Sequence, residues 1–197
     1  AILSVQGNLA SLYAELGHLE KALSMERDVY YGELKLYGAE NRHTLQSANN
    51  YATSLKGLQR YAEARSLLRE TIPVARCALG DNDEDTIRMR WNYAKTFFTN
   101  GATPDDLREA VTTLDDTERI ARRVLGGAHP TAVAIGRDLS VARKTLDAVE
   151  TLDAVETPSD VLDIVATARR RREARAALRA LEKPPGCLLY TSPSPRD

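Results

Sequence analysis

The sequence predicts an all-α fold, an array of antiparallel helix pairs, and three observations carry that prediction. The first is a repeat of about 42 residues: Asn8-Leu9-Ala10, Asn50-Tyr51-Ala52 and Asn92-Tyr93-Ala94 stand 42 apart, as do Ala22 and Ala64. The second is that apolar residues inside each unit recur at three- and four-residue spacing, one face of a helix. The third is a break at the same place in each unit, Tyr37-Gly38, Leu79-Gly80 and Leu125-Gly126. A fixed period of this size marks stacked small units and not one enzyme core. Such arrays mostly bind other proteins along an extended concave face.

The expected organisation is repeat 1 over 1–42, repeat 2 over 43–84, repeat 3 over 85–128, the degenerate first helix of repeat 4 over 129–157, a basic capping helix over 158–183 and a tail over 184–197. Repeat 2 sets the pattern. Thr44 opens its first helix, with Leu45, Ala48, Ala52 and Leu55 on one apolar face. Residues 56–60 form the turn, with Gly57 placed as a helix-end glycine. The second helix runs from about Tyr61 to Leu79, with Ala64, Leu67, Leu68, Thr71, Val74, Ala75, Ala78 and Leu79 inward, and Gly80 ends it. Pro73 in its middle kinks the helix or opens one hydrogen bond.

The alanines at 10, 52 and 94 on first helices and at 22, 64 and 110 on second helices let two helix axes approach closely. Tyr13, Leu55 and Phe97 then fill the adjacent gap.

Repeat 3 is four residues longer in its turn, since Ala64 and Ala110 are 46 apart. Asn100-Gly101 stops its first helix; Thr103-Pro104-Asp105-Asp106 starts the next, with Thr103 as N-cap, Pro104 at the first helical position and Asp106 closing the box. The same device at Thr157-Pro158-Ser159-Asp160 predicts a last helix from about Ser159 to Glu182. In repeat 4, Asp138 and Ser140 hold the places of Asn92 and Ala94, and the six residues from Thr145 to Glu150 recur from Thr151 to Glu156, which lengthens that helix.

Composition bounds the function classes. Charged residues are 28% and aromatics 6%, with a net charge of −1, so the chain as a whole does not announce a nucleic-acid partner. No apolar run approaches the roughly 18–20 residues that cross a bilayer. Cys77 and Cys187 form no metal-ligand pair, and Cys77 reads as a small buried thiol on its helix. That usage suits a reducing, cytoplasmic setting. The chain does not begin with Met and is read as a fragment; residues 187–197 resemble translated adapter read-through and stand outside fold reasoning.

The sequence holds no P-loop, dinucleotide fingerprint, His-Glu-x-x-His or nucleophile elbow. His18, His43 and His129 fall at turns or helix starts and share no metal spacing. The run Asp81-Asn82-Asp83-Glu84-Asp85 lacks the glycine and distant glutamate of a calcium loop and reads as a solvated, N-capping loop. No cofactor, metal or small-molecule substrate is expected, and no catalytic residue is assigned. The arginine-rich stretch from Ala168 to Arg175 covers the solvent face of the capping helix, or else forms a nuclear-import, nucleic-acid or acidic-partner patch.

Asn49-Asn50-Tyr51-Ala52 with Tyr61-Ala62-Glu63-Ala64, and the spacers Leu79-Gly80-Asp81 and Leu125-Gly126-Gly127-Ala128-His129-Pro130, resemble a tetratricopeptide array of the longer-period type found in kinesin light chains. The resemblance covers roughly residues 1–144 and implies a right-handed superhelical array. In such arrays the first helices line the groove. Carried onto this chain, that places Asn8, Asn50 and Asn92 in the groove, flanked by Gln46, Asn49, Thr53 and Lys56 and by Arg88, Trp91 and Lys95.

An asparagine amide both donates to and accepts from an extended backbone. Arg88 and Lys95 favour an acidic ligand or form an ordinary solvated face. Trp91 is an apolar anchor or a packing residue between repeats. Asn50 grips a ligand or bonds a neighbouring element. The chaperone-binding form of the fold needs lysine and asparagine where Gly7 and Ser11 stand, so a clamp for peptide C-termini is not expected. The reading is a non-catalytic scaffold that binds an extended, acidic protein segment, a cargo adaptor of the kinesin light chain kind. The alternative is the sensor array of a nucleotide-dependent regulator whose catalytic domain lies elsewhere. Fold alone does not choose between them.

Overall fold

The computed structural model describes residues 2–99, 102–153, 169 and 173. The chain divides into two compact units, 1–150 and 151–197. Of the second, what is described is the helical turn at 151–153 and an Arg169–Glu173 ion pair of 2.8 Å. The predicted last helix, most of the arginine-rich stretch, Cys187 and the tail lie outside the described residues.

Seven helices and no strand occur among the described residues: α1 Ile2–Glu15, α2 Leu19–Tyr37, α3 Arg42–Gly57, α4 Tyr61–Leu79, α5 Glu84–Lys95, α6 Pro104–Leu125 and α7 Pro130–Asp153. Each helix lies against the next through α6, and α3 also lies against α5, so these two first helices are neighbours. The six alanines of the repeat, Ala10, Ala22, Ala52, Ala64, Ala94 and Ala110, are all fully buried. Around them one apolar cluster joins α2 to α6 through Leu45, Leu55, Leu68 and Phe97. A second joins α5, α6 and α7 through Ile87, Leu114, Ile135 and Leu139.

Local sequence explains the helix ends. Thr103 accepts from the Asp106 N–H and the Asp106 carboxylate accepts from the Thr103 N–H, a closed capping box with Pro104 behind it. Arg122 and Arg123 sit in the last turn of α6, where cations oppose the helix dipole. Second helices stop at Gly38, Gly80 and Gly126, whose φ of 82°, 92° and 93° with ψ of 171°, 160° and 150° is a region essentially closed to side chains. The break was thus placed by backbone geometry.

Several expectations need correction. Asn41, whose side chain accepts from the His43 N–H, caps α3, so the helix opens at Arg42 and not at Thr44. Gly57 is the last helical residue; the left-handed position of that turn is Gln59, φ 61°. Gln59 and Arg60 close a Schellman pair of bonds onto the Lys56 and Leu55 carbonyls, as Gly17 and His18 do onto Ala14 and Tyr13 one unit earlier. α5 stops at Lys95, before Asn100-Gly101: the Arg65 guanidinium takes the Thr96 carbonyl at 3.0 Å and lies 3.9 Å over the Phe97 ring. Cys77 and Ala78 are exposed. Cys77 is two residues from buried Ala75, about 200° round the helix, which puts the thiol on the far side. α4 continues through Pro73, whose missing N–H removes the bond that the Arg69 carbonyl would accept.

The acidic loop is not solvated throughout. Arg42 pairs with Asp83 at 2.7 Å and with Asp85 at 2.6 Å, while Asp83 also caps α5. Gln46 donates to Asp85 at 3.0 Å. The guanidinium holds the Asp83 carboxyl below the usual carboxylate range. Arg65–Asp106 and Arg108–Glu150 are further ties between residues 41 and 42 apart. The period that repeats the helices also brings charged partners of successive units together.

Candidate peptide-binding face of the first helices

α3 and α5 supply nine of the groove candidates, and Asn8 stands exposed on α1. The two helices are tied through their polar side chains. The Asn92 amide donates to Asn49 Oδ1 at 2.8 Å and to Thr53 Oγ1 at 3.4 Å; its carbonyl accepts from Lys56 Nζ at 2.5 Å. Asn49 is buried. In the free protein the Asn92 amide is therefore spent within the array on both its donor and acceptor sides.

Asn50 holds the same place one unit earlier and differs in its surroundings. It is exposed and has no hydrogen-bond partner among the described residues. The places of Asn49, Thr53 and Lys56 are taken in the first unit by Gly7, Ser11 and Ala14. Glycine and alanine carry no side-chain donor or acceptor, so no such ladder forms and the Asn50 amide stays open to a ligand.

Trp91 takes the place of Asn49 in the next unit. Its indole Nε1 donates to Asp138 Oδ2 at 2.8 Å, and its ring lies against the α5–α6–α7 cluster. Lys95 Nζ sits 4.9 Å from the ring centroid. Gln46 is held by Asp85, and Arg88 pairs with Glu84 at 2.7 Å along its own helix.

The electrostatic centre of this face is Lys56. Burial, reinforced by the nearby Lys95 ammonium and opposed by Asp138, lowers its pKa to about 8. Two cations thus stand close together on one half-buried ridge, and the burial makes one of them unusually easy to neutralise. An incoming carboxylate would relieve both the repulsion and the lost hydration.

Sequence reasoning singled out neither Arg42 nor Arg65, although each ties one unit to the next. The signal was available. Their partners lie one period on, at Asp83, Asp85 and Asp106.

The tetratricopeptide repeat family model matches residues 44–85. This segment is similar to a tetratricopeptide repeat. Among solved structures, the fold is similar to the crystal structure of a Podosopora anserina putative kinesin light chain with nearly identical TPR-like repeats. The TM-score is 0.68 at 20% identity, over 90% of this chain and 92% of that one. A variant of the same protein gives the same values. BtubC (BKLC) from P. vanneervenii aligns with a TM-score of 0.60 at 18% identity, over 99% of this chain and 70% of that one. No curated protein matches in sequence. The fold of these neighbours shows an all-α superhelical array of tetratricopeptide-like helix pairs, and the tetratricopeptide match supports a protein-interaction scaffold. Among the described residues no helix is long and apolar enough to cross a membrane, and no three potential metal ligands gather.

Proposed function

We propose that this tetratricopeptide array is a non-catalytic scaffold that binds an extended, acidic protein segment along its first helices. The observation that carries the reading is the half-buried Lys56 ammonium beside Lys95, fixed by the Asn92 ladder and lying on the helix that carries the open Asn50 amide. The cations would draw carboxylates of the partner, and Asn50 would hold its backbone, which gives affinity with modest sequence preference. The proposal extends to a cargo segment as the ligand and a cytoplasmic adaptor as the role, on the resemblance of the repeats to those of kinesin light chains.

The test is titration of the full chain with extended peptides of matched length, acidic and neutral. The expected result is preference for the acidic set, weakened at least fivefold by Asn50→Ala. Asn50 has no described partner, so its replacement leaves the array intact. Equal binding of neutral and acidic peptides, or indifference to Asn50→Ala, would sink the groove assignment.

A further inference from the structure

A second site lies away from the groove, where α4, α5 and α6 meet. A pocket of about 220 Å³ is lined by Arg69, Ile72 and Pro73 of α4, Arg90 and Tyr93 of α5 and Thr113 of α6. The decisive residue is Arg90. At the corresponding place the preceding unit has Ala48, fully buried, and the following unit has Gly136. The first unit has Gln6 there, but between two neighbouring units that are small at this place Arg90 carries a guanidinium whose side chain is only 16% exposed.

That guanidinium is poorly matched by the protein itself. Arg90 makes no hydrogen bond to any described residue, and the nearest carboxylate, Asp116, is 3.9 Å away. Asp116 is already paired to Arg119 at 2.6 Å. The other acid whose charge reaches Arg90 is Asp81, itself paired to Arg76 at 2.5 Å, and Glu109 accepts a hydrogen bond from the Tyr93 hydroxyl. Arg69 reaches the same Tyr93 oxygen at 3.3 Å and Glu109 only at 3.9 Å. A guanidinium has five N–H donors, and withdrawing it from water without partners is costly. Thr113 adds a hydroxyl with no described partner, and Pro73 leaves the Arg69 carbonyl without its helical donor. Ile72 and Pro73 supply an apolar wall.

We propose that this pocket binds a carboxylate side chain of a peptide partner, with Arg90 as its planar, bidentate receptor and Ile72–Pro73 covering the neighbouring apolar group. The volume suits one side chain and not a free cofactor, since sites for whole small molecules are larger, roughly 300–1,000 Å³. A guanidinium fork matches a carboxylate in geometry as well as charge, so lysine would be a poor substitute. The site does not depend on the first-helix groove, because Asn50, Lys56 and Lys95 take no part in it.

The test follows binding in the full chain by nuclear magnetic resonance, through the side-chain Nε–H signal of Arg90 in the parent protein and through the backbone amide signals of Ile72 and Thr113 in the parent and every variant. The probes are the blocked dipeptide N-acetyl-Leu-Glu-amide, its Gln counterpart and a phosphoserine counterpart. The expected result is a saturable shift with the Glu peptide alone. Binding should weaken at least tenfold in Arg90→Ala, which restores the residue found at position 48 and so should fold. Arg90→Lys should recover only part of the affinity, whereas Asn50→Ala should leave it unchanged. Equal shifts with the Gln peptide, or undiminished binding in Arg90→Ala, would overturn the proposal. Tighter binding of the phosphoserine peptide would overturn the carboxylate assignment.

Discussion

Asn92 Nδ2 lies 2.8 Å from Asn49 Oδ1, one period back along the chain, and this bond fastens α5 to α3. The Asn92 carbonyl meanwhile anchors Lys56. Replacing Asn92 with alanine would strand the buried Asn49 oxygen and release the ammonium. A buried polar group left without its partner costs about 1–3 kcal/mol. Urea unfolding should show a loss of that order for Asn92→Ala, and a negligible change for Asn50→Ala at the equivalent place one unit earlier. Equal effects would show that the ladder does not hold the units together.

The helix pairs, the buried alanines and the Thr103 capping box were legible because each depends on local chemistry repeated in register. The ladder was not, because its partners come from different units and only geometry decides which asparagine is occupied. Asn50 and Asn92 are alike in sequence context, yet Gly7 and Ala14 leave the first open while Asn49 and Lys56 consume the second. Cys77 misled for a related reason. It stands among apolar neighbours in sequence, but the inward row is Ala64, Leu68, Thr71 and Ala75, and the thiol falls outside it.

Lys56 gives the groove a pH signature. Its folded-state pKa, about 8, lies below its ordinary value of 10.5. Between those values the unfolded chain holds a proton that the folded chain has lost, so Lys56 makes stability rise with pH across that window. Binding goes the other way, since the ammonium attracts the ligand only while charged. Affinity for an acidic peptide should therefore fall with a midpoint near pH 8. In Lys56→Arg the fall should vanish, because arginine keeps its charge. A flat profile to pH 9.5 in the parent protein would refute the role of Lys56.

The backbone at the ends of the helices can be tested without touching any contact. A Cβ at Gly80 would meet nothing within 4 Å, so Gly80→Ala isolates the strain of φ 92°. The expected cost is about 1–3 kcal/mol. Gln59 is the converse case, a side chain held at φ 61° where the preceding unit uses Gly17. Gln59→Gly should stabilise the array by about 0.5–1 kcal/mol, because a left-handed L-residue costs about 1–2 kcal/mol and the added chain entropy of glycine returns part of that gain. Thermal or urea unfolding reads both, and the same sign for the two changes would contradict the assigned turn geometry.

The first unit carries an acid where its successors carry hydrocarbon. Glu26 and Glu33 occupy the places of Leu68 and Ala75 in the second unit and of Leu114 and Ala121 in the third. Both glutamates are buried, and each has one carboxyl oxygen without a partner. Burial, followed by repulsion from Glu33, pushes the Glu26 carboxyl up to about 7, against a hydrogen bond from Ser11 that lowers it. From about pH 4.5 to 7 the folded chain keeps a proton that the unfolded chain releases, so stability falls as pH rises through that window. The loss is up to about 3 kcal/mol, from a pKa difference of roughly 2.5 units at about 1.36 kcal/mol each. Glu26→Leu, the residue of the next unit, should remove most of that slope and raise stability at pH 7.5. Hydrogen exchange would localise the gain to α1 and α2, since the repeats of an array interact mainly with their neighbours. An unchanged slope in the variant would mean that the carboxyl titrates normally and that α1 and α2 open enough to hydrate it.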